Sequence, residues 1–244
     1  MAELLTLQQE LRVSHFTKRY GRLTALADVS CRIVPGEALG LIGPNGSGKT
    51  TLFECLANVL PSDGGEILRD ERPLTVDERT RTLFYLPDAI APWPTETVRW
   101  ALDYTIGFFR GRRHLRDEVI HALELEPLLS SRIATLSKGQ RKRALLAIGL
   151  LTPHEVLLAD EPFDGLDLRQ SRDVARTLRD VAHGGRTLFL SIHQINDAAR
   201  VCDRFVLLSG GRVCGEGTLK ELSALAPPDA AGQPDLEQVF LALT

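Results

Sequence analysis

The sequence predicts an α/β fold in which a mixed, mostly parallel sheet core is joined to an antiparallel β subdomain and carries an inserted helical subdomain. Three observations predict it. Strand-like and helix-like stretches alternate after residue 141, the pattern of parallel strands linked by crossover helices. Residues 11–33 run in short β-favouring stretches, punctuated by Gly21 and closed by Pro35-Gly36, as antiparallel strands do. Between these regions, residues 88–135 change texture, with a proline-stiffened loop and two helical stretches. The 244 residues are 43% hydrophobic and 25% charged with a formal net charge of -3, which excludes a disordered polyelectrolyte and a global basic field for nucleic acid.

In order, residues 38–42 form a continuous apolar strand feeding a glycine-rich turn, residues 43–48. A helix over 49–60 follows, with Leu52, Phe53, Leu56 and Val59 at helical spacing. Pro61 and Asp63-Gly64-Gly65 stop it, residues 66–68 start a strand, and residues 82–86 read as a third, buried one. Helices are expected near 98–109 and 115–125. Then come helix to 151, strand 155–160, helix 169–182, strand 187–192, helix near Asp197 and strand 204–208. Residues 226–235 read as a loose linker before a short amphipathic tail, 236–243. One unit of 1–244 is expected: a core of 11–87 and 141–225, a helical subdomain of 88–140, and the linker and tail of 226–244.

Several features place the chain inside a cell. Cys31, Cys55, Cys202 and Cys214 have neither CxxC spacing nor companion histidines, so reduced thiols are expected. Apolar runs fall far short of the ~20 residues that cross a bilayer. The first residues carry acids before any base and lack a signal-like core.

Gly43-Pro44-Asn45-Gly46-Ser47-Gly48-Lys49-Thr50, with Thr51 following, fits G-x-x-x-x-G-K-[ST] between an apolar strand and a helix. Glycines let successive amide N–H groups point inward, and the helix N-terminus adds partial positive charge, so the loop is an anion cradle. Lys49 suits the β and γ oxygens of a triphosphate, and the Thr50 hydroxyl suits Mg2+, a hard ion. The strand from Glu155, apolar over 156–159, ends in Asp160 and Glu161. At the carboxyl end of a parallel strand these acids lie beside the cradle, Asp160 for Mg2+ and Glu161 to polarise the attacking water. Leu136-Ser137-Lys138-Gly139-Gln140 precedes a further helix, so Ser137 and the Gly139 backbone make a second anion-seeking helix N-terminus.

These motifs, in this order over residues 11–225, resemble those of ATP-binding cassette (ABC) ATPase subunits, members of the P-loop NTPases. The resemblance implies ATP and Mg2+ as ligands and a head-to-tail dimer, with itself or a similar ATPase. There Ser137, Gly139 and Gln140 of LSKGQ complete the partner's ATP site, with Lys138 standing where the family has glycine. It also implies that Tyr20 stacks on adenine, although a lone Tyr before Gly is equally a strand-end packing residue, with Phe16 the fallback. His193 resembles the histidine that contacts the γ-phosphate, and Asp164-Gly165-Leu166-Asp167 the loop that crosses the dimer interface. Asp88 stands where the family has a metal-contacting glutamine. It keeps an oxygen ligand for Mg2+ but is one methylene shorter and anionic, so it is expected to bind the metal more strongly while repelling metal-free triphosphate; the alternative is a simple cap of the next segment.

Arg110, Arg112, Arg113 and Arg116, and Lys138, Arg141, Lys142 and Arg143, read as solvated helix faces, the alternative for the first group being a docking patch for lipid or a permease loop. By resemblance the chain is an ATPase at the inner face of the membrane, working with a separate transmembrane permease. The ending LEQVFL and the FDGLD segment resemble exporters, with importers as the runner-up. A soluble cassette ATPase of DNA repair or translation is the alternative class; no nucleic-acid groove signature accompanies the charge.

Overall fold

The computed structural model describes residues 9–88, 90–225 and 236–243. Strands β1 (Leu11–Tyr20) and β2 (Leu23–Ile33) pair antiparallel. Their alternation is broken once each, where His15 and Asp28 take left-handed φ values of 57° and 66° and the register shifts. These bulges re-aim the chain, so the buried positions run Leu11, Val13, Phe16 on β1 and Leu26, Val29, Cys31, Ile33 on β2.

All five residues of β3 (Ala38–Ile42) are buried. Helix α1 (Lys49–Leu56) stops at Leu56 rather than at the expected residue 60. Asn58 takes a left-handed φ of 59°, and Arg79 donates to the carbonyls of Cys55 and Leu56, satisfying acceptors the helix would otherwise carry onward. Val59, expected on the inward face, is therefore 66% exposed.

Strands β4 (Gly64–Arg69) and β5 (Arg72–Pro73) extend the antiparallel sheet through a turn with positive φ at Asp70 and Glu71. Helix α2 (Val76–Thr82) was not expected; Thr75 and Glu78 cap its start reciprocally. It leads into β6 (Leu83–Leu86). The inserted segment holds α3 (Val98–Phe109) and α4 (Arg116–Ala122). Next come α5 (Lys138–Leu151), β7 (Val156–Asp160), α6 (Leu168–His183), β8 (Thr187–Ile192), α7 (Ile195–Val201) and β9 (Arg204–Ser209), close to expectation. Strand β10 (Arg212–Gly217) and α8 (Leu219–Leu225) are additional, and α9 (Leu236–Leu243) coincides with the expected tail. The expected linker, 226–235, lies outside the described residues.

The antiparallel sheet has the order β2-β1-β4-β5, and the core sheet the order β10-β9-β3-β8-β7-β6. In the latter, the neighbours from β9 to β6 are parallel and β10 is antiparallel to β9. Both faces are covered, which explains the continuous apolar strands. Leu39, Leu41, Leu158 and Phe189 pack with α1 and the antiparallel sheet. Ala38, Ile42, Leu157 and Leu190 pack with α5, α6 and the inserted helices. Among the described residues no helix is long and apolar enough to cross a membrane.

Two expectations about charge are corrected. Lys142 and Arg143 are buried, at 4% and 7% exposure, and Arg143 donates to the Leu123 carbonyl, because α5 is covered on every side from residue 142 onward. Arg112 is buried too, and Arg116 is paired with Asp103 and Asp117. The basic runs are not simply solvated faces. Burial pushes the thiol of Cys55 up to about 11 and those of Cys31 and Cys202 higher still, so these cysteines stay protonated.

Candidate functional site

Because β3, β8, β7 and β6 are parallel neighbours, their carboxyl ends emerge at one edge of the sheet. That edge carries the loop after β3, then Asp160-Glu161 after β7, His193 after β8 and Asp88 after β6.

The loop is held by backbone contacts: Ser47 N–H donates to Pro44 O at 3.1 Å and Gly211 N–H to Ser47 O at 3.0 Å. Glycine is required at two points for different reasons. A Cβ on Gly43 would sit 2.2 Å from the Leu208 carbonyl oxygen, while Gly48 has a φ of +108° and faces the Ala25 carbonyl at 2.6 Å. The buried Ser47 hydroxyl has no partner among the described residues. Lys49, 6% exposed, turns back over the loop, its Nζ donating to Gly43 O at 2.8 Å and Pro44 O at 3.4 Å. A glycine-rich turn beside the cleft, an unpartnered hydroxyl and a folded-in ammonium fit an oxyanion ligand.

Asp160 is 4% exposed and surrounded by donors. Thr50 Oγ1 donates to its Oδ2 at 2.7 Å, Ser191 Oγ to its Oδ1, and the Tyr85 hydroxyl approaches Oδ2 at 3.5 Å. Burial first, then the Asp160 charge, raises the Tyr85 phenol well above its ordinary value, so it remains a donor. Ser191 and Tyr85 escaped sequence reasoning because each lies inside an apolar strand with no motif around it. Among the described residues no three His, Cys, Asp or Glu side chains form a metal cage. The oxygens of Thr50 and Asp160 instead fit Mg2+, which keeps water and substrate phosphates as most of its ligands.

Glu161 has a left-handed φ of 47°, and its N–H is taken by Ser191, through the carbonyl at 3.1 Å and the hydroxyl at 3.0 Å. This turn aims the carboxylate along the sheet edge. Oε2 lies 2.5 Å from His193 Nδ1, and Oε1 lies 3.6 Å from Lys49 Nζ. A cleft of about 550 Å³ gathers Asn45, Gly46, Gly48, Lys49, Thr50 and Thr51 with Asp88, Asp160, Glu161 and Tyr20. Gly43, Pro44 and His193 line a smaller adjoining cleft with Phe240 of α9. Tyr20 is 46% exposed at the rim, whereas Phe16 is fully buried, so of the two aromatics only Tyr20 lines the cleft.

The structure does not bring the second anion-seeking feature into this cleft. Ser137 Oγ accepts from Gln140 N–H and Gln140 Oε1 from Ser137 N–H, a reciprocal cap at the start of α5. Gly139 faces the Gly165 carbonyl, where a Cβ would meet it at 2.7 Å. Lys138 Nζ pairs with Asp164 at 2.5 Å, which raises the Lys138 ammonium and lowers the Asp164 carboxyl from their ordinary values. Asp167 caps α6 by accepting from Gln170 N–H at 2.9 Å. Asp88 is on the cleft wall with its Oδ1 at 2.5 Å from Lys142 Nζ, a partner not foreseen.

Residues 26–164 match the sequence model of the ABC transporter family. The chain is 33% identical to the sulfate/thiosulfate import ATP-binding protein of Agrobacterium fabrum over 87% of its own length, and spans 65% of that protein. It is 29% identical to the lipopolysaccharide export system ATP-binding protein of Acidithiobacillus ferridurans, covering 99% of this chain and 98% of that one. A solved ATP-binding subunit of an ABC transporter superimposes with a TM-score of 0.83 at 26% identity, over 96% of this chain and 98% of the other.

Proposed function

The chain belongs to the ABC transporter family, and from that membership we propose that it is an ATP-binding and ATP-hydrolysing subunit that drives transport through a separate membrane permease. One observation carries the reading: a single cleft gathers the phosphate loop, the Thr50–Asp160 pair and a Glu161 carboxylate set between Lys49 and His193.

In this reading the N–H groups of Asn45, Gly46 and Gly48 and the Ser47 hydroxyl grip the β- and γ-phosphates, while Lys49 exchanges the Gly43 and Pro44 carbonyls for phosphate oxygens. Thr50 and Asp160 would hold Mg2+, which supplies charge neutralisation at those oxygens. Thr51 and Asn45 line the same wall, and Tyr20 offers its ring to the adenine. Glu161 accepts a proton from the water that attacks the γ-phosphorus as the bond to the β-phosphate oxygen breaks. His193 holds the Glu161 carboxylate in line for that transfer. Ser137, Gly139 and Gln140, lying outside the chain's own cleft, complete the ATP site of a second copy or a similar ATPase in a head-to-tail dimer. The working unit is residues 1–244, cytoplasmic and held peripherally at the membrane by the permease.

Export is the favoured direction, supported by the resemblance of the ending at 236–241 to export ATPases and by the end-to-end match to a lipopolysaccharide export protein. Import is the second reading, favoured by the name of the sulfate/thiosulfate relative. The test is Glu161→Gln: ATP binding persists, hydrolysis is lost and an ATP-bound dimer accumulates. Normal hydrolysis by this variant would overturn the assignment of Glu161.

A further inference from the structure

The first two turns of α5 are tied to the sheet edge by two lysines at i and i+4. Lys138 reaches Asp164, past the end of β7, and Lys142 reaches Asp88, past the end of β6. The two pairs differ in burial. The Lys138 side chain is 59% exposed, so its pair is screened by water, whereas the Lys142 side chain is 4% exposed. Lys142 Nζ also lies 3.3 Å from the Asp88 carbonyl oxygen, so it holds both the backbone and the side chain of that residue.

Asp88 lines the cleft with Asp160 and Glu161, and Lys49 is the cation of the phosphate loop that faces them there. An incoming triphosphate adds several negative charges to a wall that already carries three carboxylates. In a partly desolvated cleft each uncompensated charge acts strongly over several ångströms. An unpaired Asp88 would therefore oppose the ligand, which is what its charge alone leads one to expect from the sequence.

Resting on the reading that the cleft takes a nucleoside triphosphate, we propose that Lys142 is a positioning residue of that site: by pairing with Asp88 it cancels the carboxylate's charge and turns it toward α5, so that the cleft accepts triphosphate even without a divalent cation. Lys142 acts through Asp88 and does not touch the ligand. Removing the lysine alone unmasks an anion, whereas removing both charges restores a neutral wall. A role confined to packing α5 makes no such distinction.

The experiment measures binding of a fluorescent ATP analogue to the intact chain, in EDTA and in excess Mg2+, for wild type, Lys142→Met, Lys142→Arg, Asp88→Asn and the Asp88→Asn/Lys142→Met double variant. Lys142→Met is expected to weaken metal-free binding about tenfold and Mg2+-supported binding less, since the cation offsets the exposed carboxylate. Lys142→Arg should bind as wild type does, Asp88→Asn at least as tightly, and the double variant close to wild type. Equal losses in Lys142→Met and the double variant, or no loss in Lys142→Met, overturn the proposal. Should Lys142→Met fail to fold, Asp88→Asn decides: metal-free binding weaker than wild type is the overturning result. Absence of binding by the wild-type chain overturns the triphosphate reading itself, a result distinct from unaltered binding by the variants.

Discussion

Glu161 Oε2 lies 2.5 Å from His193 Nδ1, and the same residue accepts the His193 backbone N–H at 3.3 Å. One oxygen of the carboxylate is thus fixed by the residue after β8, leaving Oε1 turned toward Lys49. A base held this way can take a proton without first reorienting. On the proposed mechanism, in which His193 orients a Glu161 base more than it binds the ligand, replacing His193 by Ala is expected to lower kcat for ATP hydrolysis by about 100-fold while changing KM only a few-fold. Steady-state ATPase kinetics check this; a KM rise with unchanged kcat would reassign His193 to binding.

The backbone at Glu161 carries a cost. A non-glycine residue at a φ of 47° is uncommon, and here the conformation is imposed by two bonds from its N–H to Ser191. Glu161→Gly is therefore expected to be more stable than Glu161→Ala by about 1 kcal/mol, although both lack the carboxylate. Urea denaturation of the two inactive variants gives the comparison directly.

The sequence reading put the glycine-rich loop, the acids after β7 and, through the family resemblance, His193 at strand ends, and the structure brings these strand ends to one edge of the sheet. The reading failed where tertiary contacts decide. The end of α1 is fixed by Arg79, a residue of a helix whose only advance signal was the Thr75–Glu78 capping pattern. Lys142 and Arg143 lie in a charge run that looks solvent-facing, but the helix is enclosed on all sides from that point, so periodicity gives no outward face. Strand β10 was missed because Gly215 and Gly217 break the pattern of a strand that pairs with only one neighbour.

Two glycines of the phosphate loop should respond differently to alanine. At Gly46 a Cβ meets nothing within 4 Å, and the penalty is only the φ of +81°, about 1 kcal/mol. At Gly43 the Cβ would press into the Leu208 carbonyl and the Ser47 side chain, both buried behind the loop. Gly43→Ala is expected to cost about 2–3 kcal/mol and to abolish nucleotide binding, while Gly46→Ala stays folded. Thermal melts with and without nucleotide distinguish them: ligand-induced stabilisation disappears for Gly43→Ala.

His154, packed between the rings of Phe84 and Phe109, is 8% exposed, and its Nδ1 has no partner among the described residues. Burial, with the Arg186 charge second, lowers its value from 6.5 to about 4. The unfolded chain therefore binds a proton through a range of pH in which the folded chain refuses it. Its contribution to stability is complete above about pH 6.5 and is lost as pH falls toward 4, with a slope approaching ~1.4 kcal/mol per pH unit from this one group. Replacing His154 by Phe removes the titrating group while keeping a ring among its aromatic neighbours. Denaturation at pH 7.5, 6 and 5 should show wild type losing stability more steeply than His154→Phe, and parallel slopes would mean that His154 takes up its proton in the folded state.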